Sequence, residues 1–490
     1  MSATIGGFDF QGRARKEMIH EDFEPDFPIQ VTTETQSFTA PPIDKSIKDL
    51  RTLLWSSIDN VDSRDLDQIE WAERLPNDEI RIFVGIADVD AIVKKDSATD
   101  THAQRNATSV YTGGPVFPML PERLSTGLTS LGRNQDRYAI IVDFIIAKDG
   151  AVRHADVCAA AVRNQAPLNY DQVGKWLRGQ DGGPSECAAN PALCEQLHIQ
   201  DEAGRRLKQF RKERGALTLG GVETVPLVAD NEVRGFGIIE ENPARNIIES
   251  FMIAANVAMA EFLRRHNAFC LRRVVRTPKR WDRIQEIAAK FGVHLPAQPD
   301  PRPLGDFLAQ RRQVDPQGFP EISLAVLKSL GPGEYIVEHP GVEQQGHFGL
   351  AVSDYTHSTA PNRRYADLIV QRLLKAVLAG KGQPFAGAVL TQLAAHCTDR
   401  EAAARHVERF MKKVAAALLL RSQIGHVFDA IVTGVTPKGT FARLLNVPGE
   451  GRVLRGERGL DVGDPVRVHL LSVDPNQGFI DLAADGGMTH

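Results

Sequence analysis

The sequence lacks a strong excess of charge of either sign. Its 490 residues include 58 Lys and Arg against 62 Asp and Glu, which gives a formal net charge of −4. This balance excludes a protein coated all over with basic charge, such as a histone-like binder. It does not exclude a nucleic-acid-binding protein, because such binding needs only a local basic path.

Cysteines are few, and they are scattered along the chain. The five cysteines form no CxxC pair and no paired spacing, so we expect reduced thiols and a cytoplasmic protein. The sequence also lacks an unbroken apolar run of about 18 residues, so we expect no transmembrane helix and no membrane partner. The N-terminal stretch MSATIGGFDFQGRARK lacks the apolar core of a signal peptide.

The composition predicts a folded chain of several parts, and its strand-like and helical segments together indicate the α+β class. Hydrophobic residues make up 42% of the sequence, which is enough for a large core. Residues 1–45 are punctuated by proline without a clear period, and they could be an N-terminal extension or a small module. Residues 46–422 form one long globular region, with strands predicted at 81–89 and 138–150 and long helices predicted at 242–266, 363–378 and 399–421.

The pattern of apolar and polar residues changes after residue 422. Residues 423–485 consist of short alternating runs broken by Gly and Pro, and they contain five strand-like segments in about 60 residues. This pattern predicts a small β-barrel of the OB-fold type. Residues 486–490 are a short tail without basic charge.

An acidic cluster is the sharpest chemical feature of the sequence. Asp59, Asp62, Asp65 and Asp67 lie within nine positions, and Glu70 follows. Carboxylates this close repel one another unless a cation neutralises them, and hard oxygen ligands suit Mg²⁺ or Mn²⁺. The spacing alone also permits a solvated acidic loop. A calcium loop fits less well, since no Gly stands at the sixth position counted from Asp59 or from Asp62.

The second feature is the segment YTHSTAPNRRYADLIVQRLL, residues 355–374. Here Arg363 and Arg364 open a helix, where the positive end of the helix dipole disfavours them. A bound phosphate would relieve this repulsion, because Arg can bind phosphate through two hydrogen bonds. The alternative is an arginine pair neutralised by Asp354 or Asp367.

Together these segments resemble the RNB catalytic domain of the RNase II family of 3′-to-5′ exoribonucleases. The family shows an Asp-rich D-x5-D-x-D-D-A segment, an H-I-A-D-V strand, a R-x-x-S-x-Y…P-M-L-P stretch, an I-E-E-x-M-x-x-A-N helix and an S-P-x-R-R-Y-x-D segment. This sequence has DNVDSRDLDQI, GIADV, RNATSVYTGGPVFPMLP, IIESFMIAANVA and TAPNRRYADLIVQR in the same order. The resemblance implies an RNB domain, a mixed sheet with long helices around an RNA channel.

The resemblance also implies roles for individual residues. Asp59, Asp65 and Asp67 fall on metal-site aspartates, which implies Mg²⁺ as cofactor, with Mn²⁺ possible. Arg363 falls on the arginine at the scissile phosphate. The residues expected along the RNA are Tyr111 beside the 3′-terminal nucleotide, Arg364, Glu249 and Glu408.

The sequence departs from the family at the fourth metal-site aspartate, which is Gln68 here. A neutral amide is a poorer ligand for Mg²⁺ than a carboxylate, so this change implies weaker binding of one metal. Asp62, Asp88 and Glu70 are candidates to compensate.

The ends of the chain differ in how well they match the family. Residues 424–484 resemble the S1 RNA-binding domain that follows the RNB domain, with Phe441 placed to stack on a base. The two cold-shock domains that usually precede the RNB domain do not fit into 45 residues.

We expect basic runs at 205–214, 262–283 and 400–413 to line a phosphate path.

The sequence therefore predicts a Mg²⁺-dependent hydrolytic exoribonuclease acting on single-stranded RNA, monomeric as the family implies. One alternative is a non-catalytic RNA-binding protein that lost its activity through Gln68. A second is an acidic metal-storing or scaffold protein that does not bind RNA.

Overall fold

The computed structural model of the protein describes residues 7–220, 223–316, 318–341, 346–445 and 447–485. The tail at 486–490 lies outside the described residues. The α+β fold class is confirmed: a mixed sheet surrounded by helices is followed by a closed five-stranded barrel.

The α-helices of this part of the chain are α1 (Phe10–His20), α2 (Ile29–Ser37), α3 (Ala98–Asn106), α4 (Tyr170–Leu177), α5 (Ser185–Ala189), α6 (Pro191–Glu213), α7 (Pro243–Arg265), α8 (Trp281–Ala289), α9 (Pro301–Val314), α10 (Phe319–Leu330), α11 (Tyr365–Leu378) and α12 (Gly387–Leu420).

The strands are β1 (Lys48–Asp49), β2 (Trp55–Asp59), β3 (Gln68–Arg74), β4 (Ile80–Ala87), β5 (Val110–Tyr111), β6 (Val116–Phe117), β7 (Asp136–Ile146), β8 (Val152–Asn169), β9 (Glu223–Ala229), β10 (Glu232–Ile239), β11 (Cys270–Val274), β12 (Glu334–Glu338), β13 (Val427–Thr436), β14 (Gly439–Leu444), β15 (Glu450–Arg455), β16 (Pro465–Asp474) and β17 (Phe479–Ala484).

The central sheet has the strand order β1-β8-β2-β3-β4-β7, and β8 pairs with β7 as well. The first part of β8 runs antiparallel to β7, and its last residues run parallel to β2. The sheet therefore curls on itself through this one long strand. Its antiparallel neighbours β2 and β3 bring Asp59, at the end of β2, close to Gln68, at the start of β3.

The apolar strands and helices predicted from the sequence form the core. β4 and β7 lie at 80–87 and 136–146, and they pack with α6, α7 and α11 into one large buried cluster. α6 and α7 both begin at an Asn-Pro pair, in which the Asn side chain accepts the backbone N–H of the second helical residue. These caps fix where the two long helices start.

α7 is long and apolar enough to cross a membrane by length and composition alone. In this structure 72% of its most apolar window is buried inside the protein. Phe251, Ala255 and Leu263 of α7 are fully buried members of the large core cluster. Its apolar character is therefore that of a core helix.

The predicted C-terminal barrel is closed, with the strand order β13-β14-β15-β17-β16. Val432, Val453 and Leu482 fill its interior. Ala416 and Leu420, from the last turns of α12, belong to the same buried cluster. The long helix thus connects the barrel directly to the preceding domain.

The N-terminal segment, left open by the sequence, contains two helices within residues 7–45. Phe10, Ala14 and Met18 of α1 pack against Val407 and Met411 of α12 in a separate buried cluster. The described residues of this segment contain no β-barrel. A helical arm packed on α12 therefore stands before the sheet.

The expected phosphate path over the basic runs is only partly compatible with the structure. Arg272 is 1% exposed and lies 2.7 Å from Asp354, while Arg273 lies 2.8 Å from Glu401. In the run at 205–214, Arg206 lies 2.8 Å from Asp78. These three arginines neutralise neighbouring carboxylates, so they do not form part of an open basic surface, and the phosphate path along the other residues of the runs stays a prediction.

Candidate active site

The acidic cluster lies in a short, well-anchored connection between β2 and β3. Asp59 Oδ1 accepts hydrogen bonds from the backbone N–H of Asn60 at 2.9 Å and from Ser63 Oγ at 2.7 Å. Further along, Ser130 Oγ accepts from Leu66 N at 3.1 Å and donates to the Arg64 carbonyl at 2.7 Å. These bonds hold the connection in one conformation and direct Asp65 and Asp67 back towards Asp59.

A cavity of about 330 Å³ opens at this end of the sheet. It is bounded by the β2–β3 connection, by α7, and by the segment before α11. Its lining residues are Asp59, Asn60, Ser63, Asp65, Asp67, Gln68, Tyr111, Tyr170, Arg245, Ile248, Met252, Thr359 and Arg363. The structure thus brings together the three predicted metal-site aspartates, the predicted catalytic arginine and the predicted aromatic residue.

The two inner carboxylates are in surroundings that disfavour negative charge. Asp67 is 3% exposed, and burial raises its pKa to about 7, with Arg363 opposing and Asp65 adding to the shift. Burial also raises the pKa of Asp65, and Arg363 again opposes the shift. A cation placed among these oxygens would compensate for the lost hydration and stabilise the ionised forms.

Arg363 is held at the mouth of this acidic group. Its Nε lies 3.4 Å from Asp67 Oδ2, and its side chain remains 42% exposed. The backbone around it is fixed, because Asn362 N donates to Asp67 Oδ1 at 3.2 Å and Ser109 N donates to the Arg363 carbonyl at 3.0 Å. An exposed guanidinium beside buried carboxylates can bind a phosphate group that enters the cavity.

Arg364 has a different environment from Arg363. It stands just before the first residue of α11, and its guanidinium donates to both carboxylate oxygens of Asp367, at 2.8 and 2.7 Å. The structure thus favours the ion-pair alternative for this residue. Arg364 is not among the cavity residues, and its contact with RNA stays a prediction.

Tyr111 and Glu408 are linked to each other. Tyr111 ends β5 and is 41% exposed, and its backbone N–H donates to Glu408 Oε1 at 3.1 Å. The Tyr111 hydroxyl interacts with Asp65, and its surroundings raise the pKa of the phenol to about 12. Glu408 therefore holds the strand that presents the ring, and it does not itself line the cavity.

Two other predicted RNA contacts lie away from the cavity. Glu249 is exposed on α7 beside Arg211. Burial lowers the pKa of Arg211, and the charge of Glu249 offsets only part of this shift. Phe441 is half-buried on β14 of the barrel, directly opposite Arg452 of β15. Their roles in RNA binding stay predictions.

The cavity contains residues that sequence reasoning missed. Arg245 Nη2 donates to Asn60 Oδ1 at 2.9 Å, and its guanidinium lies 4.3 Å from the centroid of the Tyr170 ring. Arg245 stands in the first turn of α7, near the positive end of the helix. The argument applied to Arg363 could therefore have found it. Nothing in the local sequence distinguishes Tyr170.

The structure separates the three acids considered as replacements for the missing fourth aspartate. Asp62 is exposed, and Asp88 is neutralised by Lys375 at 2.9 Å. Glu70 is fully buried two residues after Gln68 on β3, and neither of its carboxylate oxygens has a hydrogen-bond partner in the described structure. Burial and the charge of Asp59 raise its pKa well above the usual value.

Two family models match the chain. The model for the RNB domain matches residues 47–380, and that for the RNase II-type exonuclease C-terminal S1 domain matches residues 426–485. Ribonuclease R 1 of Lactococcus lactis is 28% identical over 98% of this chain and 62% of its own length. Ribonuclease R of Thermotoga maritima is 31% identical over 87% of this chain and 61% of its own length. The chain thus spans about three fifths of these relatives.

Solved structures share the fold. Mycoplasma genitalium RNase R in complex with ribose-methylated single-stranded RNA matches with a TM-score of 0.87 and 23% identity, over 97% of this chain and 78% of that one. Yeast Ssd1, described as a pseudonuclease, matches with a TM-score of 0.73 and 16% identity, over 96% of this chain and 58% of that one. Because a pseudonuclease shares the fold, the fold alone does not establish catalysis.

Proposed function

The chain belongs to the RNB family, and we propose that it is a hydrolytic 3′-to-5′ exoribonuclease that degrades single-stranded RNA to nucleoside 5′-monophosphates in the cytoplasm. The observation that carries the proposal is the convergence of Asp59, Asp65, Asp67 and Arg363 on one cavity. The matches to Ribonuclease R proteins, over about three fifths of their length, support the reaction class.

The carboxylates suit a Mg²⁺ ion chemically. Asp59, Asp65 and Asp67 would hold it, because hard oxygen ligands are those that Mg²⁺ prefers and the buried site otherwise disfavours their charge. A bound Mg²⁺ would lower the pKa of a coordinated water and stabilise charge on phosphate oxygens. Mn²⁺ fits the same set of ligands.

The remaining cavity residues would position the substrate. The exposed guanidinium of Arg363 would bind the non-bridging oxygens of the scissile phosphate, where negative charge grows during hydrolysis. Its 3.4 Å contact with Asp67 orients it without burying it. Arg245, which lines the same cavity from the first turn of α7, would bind a neighbouring phosphate, and the Tyr111 ring would pack on the terminal nucleotide.

The proposal is tested by incubating the full chain with Mg²⁺ and a 5′-labelled single-stranded oligo-RNA. We expect a ladder of shortening products. Binding of the RNA without shortening would support a non-catalytic RNA-binding protein instead, the alternative that Gln68 raises. A chain that does not bind the RNA at all would contradict both.

The missing fourth aspartate leads to a prediction about metal affinity. Gln68→Asp should lower the Mg²⁺ concentration needed for half-maximal activity, because it restores a carboxylate to the cavity wall. Calorimetric titration of Mg²⁺ into the RNA-free protein measures the Mg²⁺ affinity directly, and Gln68→Asp should bind the ion more tightly than the wild type. If Gln68→Asp leaves the Mg²⁺ requirement unchanged, position 68 does not limit metal binding.

The ring of Tyr111 should determine how far digestion proceeds. Tyr111→Ala is expected to leave final products several nucleotides longer, because the terminal nucleotide loses its stacking partner, worth about 1–3 kcal/mol. Tyr111→Phe keeps the ring and loses only the hydroxyl contact with Asp65, so its products should match those of the wild type. Gel analysis of exhausted digests measures this, and equal product lengths for Tyr111→Ala would refute the role.

A further inference from the structure

A second group of ligand-type side chains lies where α1 meets α12, outside the cavity described above. Glu17, His20 and Glu21 belong to the C-terminal end of α1, and His406 comes from α12. Ligand atoms of Glu17, Glu21 and His406 all lie within 4.8 Å of one another. Two helices that are distant in sequence thus contribute two carboxylates and one imidazole to one place, and the His20 imidazole lies beside the two carboxylates.

The distances within this group fit shared coordination better than hydrogen bonding. His406 Nδ1 lies 3.0 Å from Glu21 Oε1 and 4.0 Å from Glu17 Oε1. His20 Nδ1 lies 3.6 and 3.7 Å from the same two oxygens. Only the shortest of the four is a hydrogen-bond length. Ligands of a tetrahedral ion with bonds of about 2.0–2.2 Å stand about 3.4 Å apart, which lies within the range of these imidazole–carboxylate distances.

The buried member of the group is a second, independent observation. The Glu17 side chain is 6% exposed, and Arg13 Nη2 contacts only its Oε2, at 2.9 Å. Its other oxygen is therefore the one that faces the imidazoles. A cavity of about 460 Å³ borders Glu17, His20 and His406, and it gives an ion and its water a route to the site.

We infer that Glu17, Glu21 and His406, with His20 beside the two carboxylates, form a structural Zn²⁺ site that connects the N-terminal helix to α12. Imidazole nitrogens with carboxylate oxygens in a four-coordinate arrangement suit Zn²⁺, whereas Mg²⁺ prefers six oxygen ligands. Two residues after His406, the Glu408 carboxylate accepts a hydrogen bond from the backbone N–H of Tyr111. The ion would therefore stabilise the stretch of α12 that supports the active-site strand β5.

The test is calorimetric titration of Zn²⁺ into the metal-stripped full chain, in buffer with excess Mg²⁺ to occupy the carboxylate cavity. We expect one tight Zn²⁺ site in the wild type and a rise of its melting temperature on binding. His20→Ala combined with His406→Ala should weaken this site at least about 100-fold, because losing an outer-shell partner alone costs about 10–100-fold. Both histidines are exposed, so both substitutions should fold.

His426→Ala is the matched control, because His426 is an exposed histidine of the connection between α12 and the barrel. It should leave Zn²⁺ affinity and the Zn²⁺-dependent melting shift unchanged. Glu21→Gln should weaken the site without removing either imidazole. The inference is overturned if the wild type binds no Zn²⁺ under these conditions, or if the double histidine variant binds it as the wild type does.

Discussion

Asp67→Asn is expected to reduce RNA hydrolysis at least about a thousandfold, the upper end of what a single electrostatic group contributes to kcat. The substitution removes one of three carboxylates that would hold Mg²⁺. It should leave RNA affinity within about threefold of wild type, because the arginines of the cavity remain in place. Hydrolysis is measured on 5′-labelled oligo-RNA, and binding is measured on the same RNA by fluorescence anisotropy without Mg²⁺.

The stability of this variant should not fall. Burial disfavours the charged form of Asp67, and its pKa is raised to about 7 in the folded protein. A neutral amide therefore loses no favourable charge interaction with solvent, and its oxygen can still accept from Asn362 N. Asp62→Asn, at an exposed position of the same connection, is the matched control and should keep full activity. Equal loss in both variants would contradict the assignment of Asp67.

Arg363→Ala is expected to lower kcat about 10²–10³-fold, since it removes a guanidinium that contacts the carboxylate of Asp67 and would bind the scissile phosphate. Arg363→Lys should recover only part of this loss. The ammonium group restores the charge, but it cannot form two parallel hydrogen bonds to a phosphate. Single-turnover kinetics with excess enzyme measure the chemical step apart from RNA binding.

Arg64→Ala serves as the control for Arg363. Arg64 is exposed in the β2–β3 connection, and its backbone carbonyl, which the substitution keeps, accepts a hydrogen bond from Ser130. Its replacement should leave the single-turnover rate within about twofold of wild type, as for most surface substitutions. A rate for Arg363→Ala that is equally unaffected would place the phosphate elsewhere in the cavity.

The sequence predicted the ligand-type residues of the cavity, but only the family resemblance, and not the local residue pattern, distinguished Arg363 from Arg364. Arg363 and Arg364 have the same side chain. The backbone conformation of this segment determines that Arg363 contacts Asp67 in the cavity and that Arg364 pairs with Asp367. Arg245 and Tyr170 join the cavity only because α7 and the end of β8 approach the sheet there. That approach depends on long-range packing, which local sequence does not encode.

The basic runs show that a local pattern of charge does not predict whether the charged side chains are exposed. A run of arginines predicts a charged surface, but Arg272 and Arg273 are buried against acids supplied by distant segments. The start of α12 was also misplaced. The helix begins at Gly387, twelve residues before the Asp399 at which the predicted helix started. The barrel and the long strands were predicted well, because their alternating or continuous apolar patterns are local.

The most direct test of the central claim is a comparison of one single-stranded RNA labelled at its 5′ end with the same RNA labelled at its 3′ end, both digested by the wild-type chain with Mg²⁺. The account predicts that the 3′ label is released at once as a nucleoside 5′-monophosphate, while the 5′ label passes through a ladder of shortening products. Shortened oligonucleotides that still carry the 3′ label, or RNA that is bound and remains intact, would contradict it.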